Sequence, residues 1–67
     1  MIAIITQIWN VMWDDMRKLV AHDEQGNFLA VSLSYVVSDK QEQQFQLGLL
    51  TKALTNSGYL VINKIGE

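Results

Sequence analysis

The short length of the chain most limits how it can fold: it has 67 residues, no cysteine and only one histidine. A domain of this size buries only about 60% of the surface that its unfolded chain exposes, so its stability is marginal. Small domains commonly compensate with disulfides, a structural metal or a partner subunit. Disulfides and zinc–thiolate sites are excluded here, and a single histidine does not favour another structural metal. We therefore expect association with another chain to complete the core.

The composition predicts a single folded domain over residues 1–67. Hydrophobic residues make up 49% of the chain, and no low-complexity or linker-like tract divides it. The net charge is −2 and the five basic residues are scattered, so there is no basic stripe of the kind that binds nucleic acid. The apolar start, residues 1–5, lacks a preceding positive region and is soon interrupted by polar residues. We expect neither a targeting segment nor a membrane contact, and a cytoplasmic location.

Residues 2–20 contain neither glycine nor proline, and their pattern favours a helix. At about 100° per residue, the apolar side chains form one broad face and the polar side chains the other. Asp14 and Lys18 also form an acid-to-base pair at helical spacing. A strand competes, because many residues of this segment are β-branched. We predict a helix, with a variant in which it ends near Asp15 and residues 17–22 form a strand.

The middle of the chain predicts a turn followed by a strand. Residues 22–27 have turn composition. Residues 28–37 then alternate between larger apolar side chains and small or polar ones, which is the clearest strand signal in the sequence. In the variant, residues 17–22 pair with this strand as a hairpin.

The last third of the chain predicts a capped helix and a final strand. Asp39 with Glu42 three residues later is typical of a capping box, and the helix that it begins extends to about Asn56. Gly58 suits the left-handed conformation that ends many helices. Apolar residues from Tyr59 towards Ile65 predict a short strand.

The predicted class is α+β, a single layer of two or three strands packed by two helices. The predicted order is α-β-α-β, or α-β-β-α-β in the variant. A strand–helix–strand unit normally forms a right-handed parallel pair. Because two strands seldom make an independently stable sheet, residues 17–22 or a second subunit must extend it. We expect dimerisation to complete the fold.

No constellation of residues predicts catalysis, a metal or a cofactor. His22 lies beside Asp23 and Glu24, but a catalytic metal needs about three convergent ligands, which consecutive turn residues rarely supply. Adjacent carboxylates at Asp14 and Asp15 would point about 100° apart on a helix and could not share a proton. The serines lack the flanking glycines of a nucleophile elbow, and no glycine-rich phosphate loop is present. We predict that the protein is not an enzyme.

The candidate interface residues are Trp9, Met12, Trp13, Met16 and Gln46. The first four share the apolar side of the predicted first helix, and tryptophan often dominates interface energies. A small core cannot easily enclose two tryptophans and two methionines, so we expect one tryptophan, Trp13 in particular, to be accessible. Gln46 falls within the apolar arc of the second helix. A wet helix end is favoured for it, and a polar contact across a subunit interface is the alternative.

Together these features predict a small non-catalytic interaction protein, a regulator, inhibitor or assembly adaptor that acts through an apolar helix surface as a homodimer. Phages and mobile elements encode many proteins of this kind, which makes such an origin a base-rate expectation. One alternative is a nucleic-acid-binding dimer that gathers Arg17, Lys18 and Lys64. Another is a membrane-surface module, although the polar face of the first helix is not clearly cationic.

Overall fold

The computed structural model describes residues 1–10 and 12–66, except for the side chains of Asn10 and Trp13. The elements along the chain are β1 (Ile2–Asn10), β2 (Trp13–His22), β3 (Phe28–Val31), β4 (Tyr35–Val36), α1 (Lys40–Asn56) and β5 (Leu60–Asn63). The α+β class is confirmed. Among the described residues there are five strands and one helix, so the prediction of two helices is wrong.

All strands belong to one mixed sheet with the order β3-β2-β1-β5, and β4 pairs with β2 along the same edge as β3. β1 and β2 form a long antiparallel hairpin, whereas β5 runs parallel to β1, with Ile2 opposite Leu60. A parallel pair was expected, but the partner of β5 is the first strand and not the strand that precedes α1. The sheet is four strands wide within one chain, so strand number alone does not require a partner.

The predicted first helix is replaced by β1 and most of β2, so both predicted element orders are wrong at their start. The physical reason lies in the two faces of β1. Ala3 and Ile5 are fully buried beneath α1, while Ile2, Ile4 and Ile8 point to the opposite face. With apolar side chains on both faces, the period of two that identifies a strand is hidden, and the high β-branched content was the better guide.

The hairpin proposed in the variant, between residues 17–22 and the following strand, is confirmed. Val20 pairs with Val31 and Ala21 with Ala30. The expected continuous strand over residues 28–37 is divided into β3 and β4. At the division, the Ser32 backbone N–H donates to the Leu19 carbonyl at 2.8 Å, and the Ser32 hydroxyl accepts from the Leu19 N–H at 2.8 Å. These bonds keep the interrupted edge attached to β2.

The core lies between one face of the sheet, the helix face, and α1. Burying each large apolar side chain stabilises the fold by about 1.5–3 kcal/mol, so this small cluster supplies most of the stabilisation. Its buried members are Ala3, Ile5, Leu19, Ala21, Tyr35, Leu50 and Leu54.

The ends of α1 follow the sequence signals. An Asp39 carboxylate oxygen accepts a hydrogen bond from the Glu42 backbone N–H at 3.1 Å, which satisfies one of the free donors of the first turn. The helix ends at Asn56, and Gly58 adopts a φ of +92° that a side chain would disfavour. The predicted helix and the final strand are therefore confirmed.

Replacing Gly48 by alanine is expected to raise the free energy of unfolding by about 1 kcal/mol, because glycine is the poorer helix former by that amount. Nothing lies within 4 Å of a Cβ added there, so no contact opposes the gain. Urea unfolding followed by circular dichroism measures it. The matched control is Gly58→Ala, which also meets open space but must adopt a positive φ, and it is expected to destabilise the protein. Equal effects of the two changes would contradict this account.

The turn between β2 and β3 is closed by Asp23. Its carboxylate accepts hydrogen bonds from the Asn27 side-chain amide at 3.0 Å, the Asn27 backbone N–H at 2.8 Å and the Gln25 backbone N–H at 2.9 Å. These bonds favour the charged form and hold the pKa of Asp23 below its ordinary value, with the Asn27 side chain as the largest cause. The stabilisation from Asp23 is therefore present above its unfolded pKa and is lost as the pH falls through the lower folded pKa.

Replacing Asn27 by alanine is expected to raise the pKa of Asp23 back towards its ordinary value, because the largest cause of the shift is removed. A carboxyl-carbon NMR titration measures the change. The control is Gln25→Ala, which keeps the backbone donor and removes a side chain with no part in these bonds. An unchanged pKa in the Asn27 variant would show that another group sets it.

Candidate interaction surface

The face of the sheet opposite α1, which we call the open face, is covered by no described element of the chain. It is formed by the residues that alternate with the buried positions of β1 and β2, and by their cross-strand partners, since paired residues share a face. Its polar members are Thr6, Lys18 and His22. Its apolar members are Ile2, Ile4, Ile8, Met16, Val20, Phe28, Val31, Val36, Leu60 and Ile62.

The area of the open face can be compared with the apolar patches of monomers and with protein–protein interfaces. β1 has nine residues and the sheet is four strands wide. The five strands contain 29 residues in total, because β3 and β5 have only four each and β4 has two. At about 3.3 Å per residue and 4.8 Å per strand, the face measures on the order of 450 Å². The largest apolar patch of a typical monomer is about 300–600 Å², and each partner in a standard interface contributes about 800 Å². The open face therefore lies within the range of the largest patches on monomers and is smaller than one side of a standard interface.

Two ionisable side chains, Lys18 and His22, belong to the open face because each is paired with an open-face residue of β1. Lys18 is paired with Ile8, and His22 with Ile4. Both side chains are half-buried, and the His22 ring nitrogen Nδ1 lies 3.0 Å from the Asp23 carbonyl oxygen. The aliphatic stem of Lys18 can lie along the neighbouring apolar side chains while its ammonium group reaches the rim.

Trp9 lies on the helix face of the sheet, where it pairs with Arg17. It is 64% exposed, and the Arg17 guanidinium carbon lies 3.2 Å from the centroid of its ring. Arg17 itself is buried and donates hydrogen bonds to the carbonyl oxygens of Asp14 at 2.9 Å and Met16 at 3.0 Å. The ring thus shields a buried cation, an arrangement that stabilises the end of the hairpin by cation–π attraction.

The other interface residues that were predicted on the first helix do not form one surface in the structure. Met12 is 77% exposed in the bend between β1 and β2, and Met16 lies half-buried on the open face opposite Val36. The side chain of Trp13 lies outside the described residues. Trp9 and Met16 occupy opposite faces of the sheet, so the apolar helix surface on which the interface prediction depended does not exist.

Gln46 is buried between α1 and the chain after β3, with an exposure of only 4%. Its Nε2 donates to the Glu42 carboxylate at 3.0 Å, and its Oε1 accepts from the Leu33 backbone N–H at 3.3 Å. The favoured prediction of a wet helix end is therefore wrong. Because its amide is satisfied within the chain, Gln46 positions the Leu33 backbone against α1.

The residues of the open face other than Met16 were missed as interface candidates. The signal that could have found them is the continuous apolar start of the chain, where both odd and even positions are apolar. Such a run is typical of a strand that is buried on both faces. In the single chain only one face is covered, so the pattern itself indicates a second covering layer.

Among the described residues there is no cluster of three or more metal-ligating side chains. None of the helices in the described part of the chain is long and apolar enough to cross a membrane. In comparisons with known proteins, no family model, no curated protein and no solved structure matches the chain. The proposals below therefore depend on geometry alone.

Proposed function

We propose that this chain is a small non-catalytic interaction protein that forms a homodimer by packing two open faces together. The observation that carries the proposal is the uncovered apolar face of the sheet, on which ten of the thirteen paired side chains are apolar. Two sheets that pack face to face bury side chains from both inner faces in a layer about 10 Å thick. Such a layer would supply the second half of a core that one chain of this size lacks.

The hydrophobic residues of the open face are those that a second layer would protect. Ile8, Val31, Val36, Leu60 and Ile62 are each more than a third exposed in the single chain. About 450 Å² from each copy gives a total near 900 Å², the size of weak or transient interfaces, so the dimer is expected to dissociate on dilution. A two-fold dimer uses the same patch twice, so one continuous apolar face is sufficient. Symmetry and composition together favour a second copy as the occupant.

The decisive experiment is sedimentation equilibrium of the purified chain over a wide range of concentration. A dimer mass that falls to the monomer mass on dilution supports the proposal. A strictly monomeric chain at every concentration would overturn it. Exchange broadening or protection of the Ile4 and Val20 amides that depends on concentration would locate the interface on the open face.

The two alternative functions have less support. Arg17, one of three basic residues that a nucleic-acid-binding dimer would need to gather, is buried beneath Trp9. Lys18 lies on the open face, and Lys64 follows β5 at the sheet edge. The membrane-surface module depended on an amphipathic first helix, and residues 2–10 are a strand instead. Salt-sensitive binding to DNA would restore the first alternative.

A further inference from the structure

β5 is the last strand of the sheet, and its outer edge is unpaired. The order β3-β2-β1-β5 places β1 on one side of β5 and no described strand on the other. Towards β1, the N–H groups of Leu60 and Lys64 donate to carbonyl oxygens at 2.7 and 2.8 Å. Because alternate residues of a paired strand direct their backbone groups to opposite sides, those of Val61 and Asn63 point outward. No hydrogen bond among the described residues uses these outward groups.

The opposite edge of the sheet is irregular. The pairing of β3 with β2 shifts register between Ala21 and His22, and the strand ends at Val31. Beyond it, the Leu33 N–H is already bonded to the Gln46 side chain at 3.3 Å. Bulges and breaks of this kind protect an edge from further pairing. β5, in contrast, pairs with β1 without a register shift and contains neither proline nor a charged residue. A further strand can therefore be added at β5.

We infer that β5 pairs with β5 of a second copy of this chain, antiparallel and centred on Ile62. In this register the outward groups of Val61 face those of Asn63 in the other copy. Each such pair exchanges two hydrogen bonds, which gives four between the chains. The two-fold axis stands normal to the sheet, so the open faces of both copies lie on the same side.

The two neighbouring registers are less favourable. Pairing centred on Val61 would need the Tyr59 N–H, which already donates to the Leu54 carbonyl at 3.0 Å. Pairing centred on Asn63 would need the Ile65 N–H, which already donates to the Asn63 side chain at 2.9 Å. Only the register centred on Ile62 uses outward groups without another partner among the described residues.

The charges that flank β5 do not oppose this pairing. Lys64 is the nearest charged residue and follows the end of the strand. In the register centred on Ile62, the two Lys64 residues lie four positions apart along the paired strands, which is about 13 Å. This separation exceeds the Debye length of about 8 Å at physiological ionic strength, so their repulsion is largely screened.

The area of the open face favours a second copy over a foreign strand. One copy presents about 450 Å², whereas each partner in a standard interface contributes about 800 Å². A foreign strand as long as β5 would add only about 60 Å². A second copy adds its whole open face and brings the joined surface to about 900 Å², with the two Ile62 side chains next to each other near its centre. Only the second copy makes the surface large enough for a standard interface.

This use of area rests on the proposed function, because it matters only if the open faces are covered. The two-fold axis of the edge pair is normal to the sheet, and the axis that relates two packed open faces is parallel to it. Perpendicular two-fold axes that meet close into a tetramer, here two sheets of two chains each, packed face to face. Each weak contact then holds the copies in place for the other contact.

The test is sedimentation equilibrium of the full chain and of Asn63→Pro, extended to high protein concentration. Proline removes the outward N–H of Asn63, and an edge strand tolerates it on its outer side. The matched control, Asn63→Ala, loses the same side-chain amide but keeps the backbone donor. We expect the wild type and the alanine variant to form tetramers at high concentration. The proline variant should stop at the dimer, with a tetramer dissociation constant raised about tenfold or more.

Amide hydrogen exchange of the wild type gives a second readout that needs no variant. We expect protection of the Val61 and Asn63 amides to rise with protein concentration. Dimers in which these amides stay unprotected would overturn the edge pairing and leave the packing of open faces standing. Protected amides in a dimer that Asn63→Pro converts into monomers would support the edge pairing and overturn the packing of open faces. Equal association of the proline and alanine variants would also overturn the inference.

Discussion

Replacing Ile62 by glutamate is expected to raise the dissociation constant of the dimer about a hundredfold or more, leaving monomers at ordinary concentrations. Ile62 lies on the open face opposite Ile4 and is 37% exposed in the single chain, so folding of the chain itself should tolerate the change. In a two-fold interface the substitution occurs twice. Each unpaired buried carboxylate costs several kcal/mol, and about 1.4 kcal/mol corresponds to each factor of ten.

The control for this variant is Phe45→Glu, which makes the same change of charge at a large exposed residue of α1, 58% exposed, on the opposite side of the sheet. Sedimentation velocity should show a monomer for the Ile62 variant and an unchanged dimer for the Phe45 variant. Circular dichroism confirms that both remain folded. Equal dissociation of the two variants would place the interface elsewhere.

Replacing Leu19 by alanine is expected to lower the free energy of unfolding by about 3 kcal/mol, since leucine-to-alanine changes in cores cost about 2–5 kcal/mol. Leu19 is fully buried at the centre of the sheet, paired with Gln7 and bonded through its backbone to Ser32. At about 0.05–0.15 kcal/mol per residue, a domain of this length has only some 3–10 kcal/mol of stability. The variant should therefore be partly unfolded at physiological temperature.

Urea unfolding followed by circular dichroism measures this loss at a fixed protein concentration, because dimerisation makes apparent stability depend on concentration. Leu33→Ala is the control, since it removes the same atoms from a side chain that is 73% exposed. Its effect should stay within about 0.5 kcal/mol. A Leu19 variant as stable as the Leu33 variant would contradict the core described above.

The C-terminal half of the fold could be predicted because its signals are local. Asp39 and Glu42 lie within one helical turn of each other, and the positive φ of Gly58 suits the residue that has no side chain. These interactions form from neighbouring residues whatever the rest of the chain does. The strand β5 follows as a short apolar run after a well-marked helix end.

The N-terminal half could not be predicted because its structure depends on distant partners. The apolar pattern of residues 2–20 satisfies a helix and a doubly buried strand almost equally. What decides between them is pairing of β1 with β5 and packing under α1, both of which come from the far end of the chain. Tertiary contacts override local preference in such a segment.

The candidate interface residues were also hard to place from the sequence, because their positions depend on distant parts of the chain. The small size of the core predicted that one tryptophan would be accessible, but the residue named was Trp13, whose side chain lies outside the described residues. The exposure of Trp9, and its place on the face opposite Met16, required the strand register. Gln46 looked anomalous in the sequence because no partner was visible. The Leu33 backbone that satisfies it lies in a segment whose position depends on the break between β3 and β4.

The parallel pairing of β1 with β5 also has a consequence for synthesis of the protein. β1 is made before β5, so its second edge is closed only when residues 60–63 have left the ribosome. Until then the nascent β1–β2 hairpin presents an unpaired strand edge and isoleucines on both faces, the kind of surface that recruits chaperones or aggregates. Folding is therefore expected to await release of the complete sheet, and premature termination before Leu60 should yield insoluble fragments in place of a smaller stable domain.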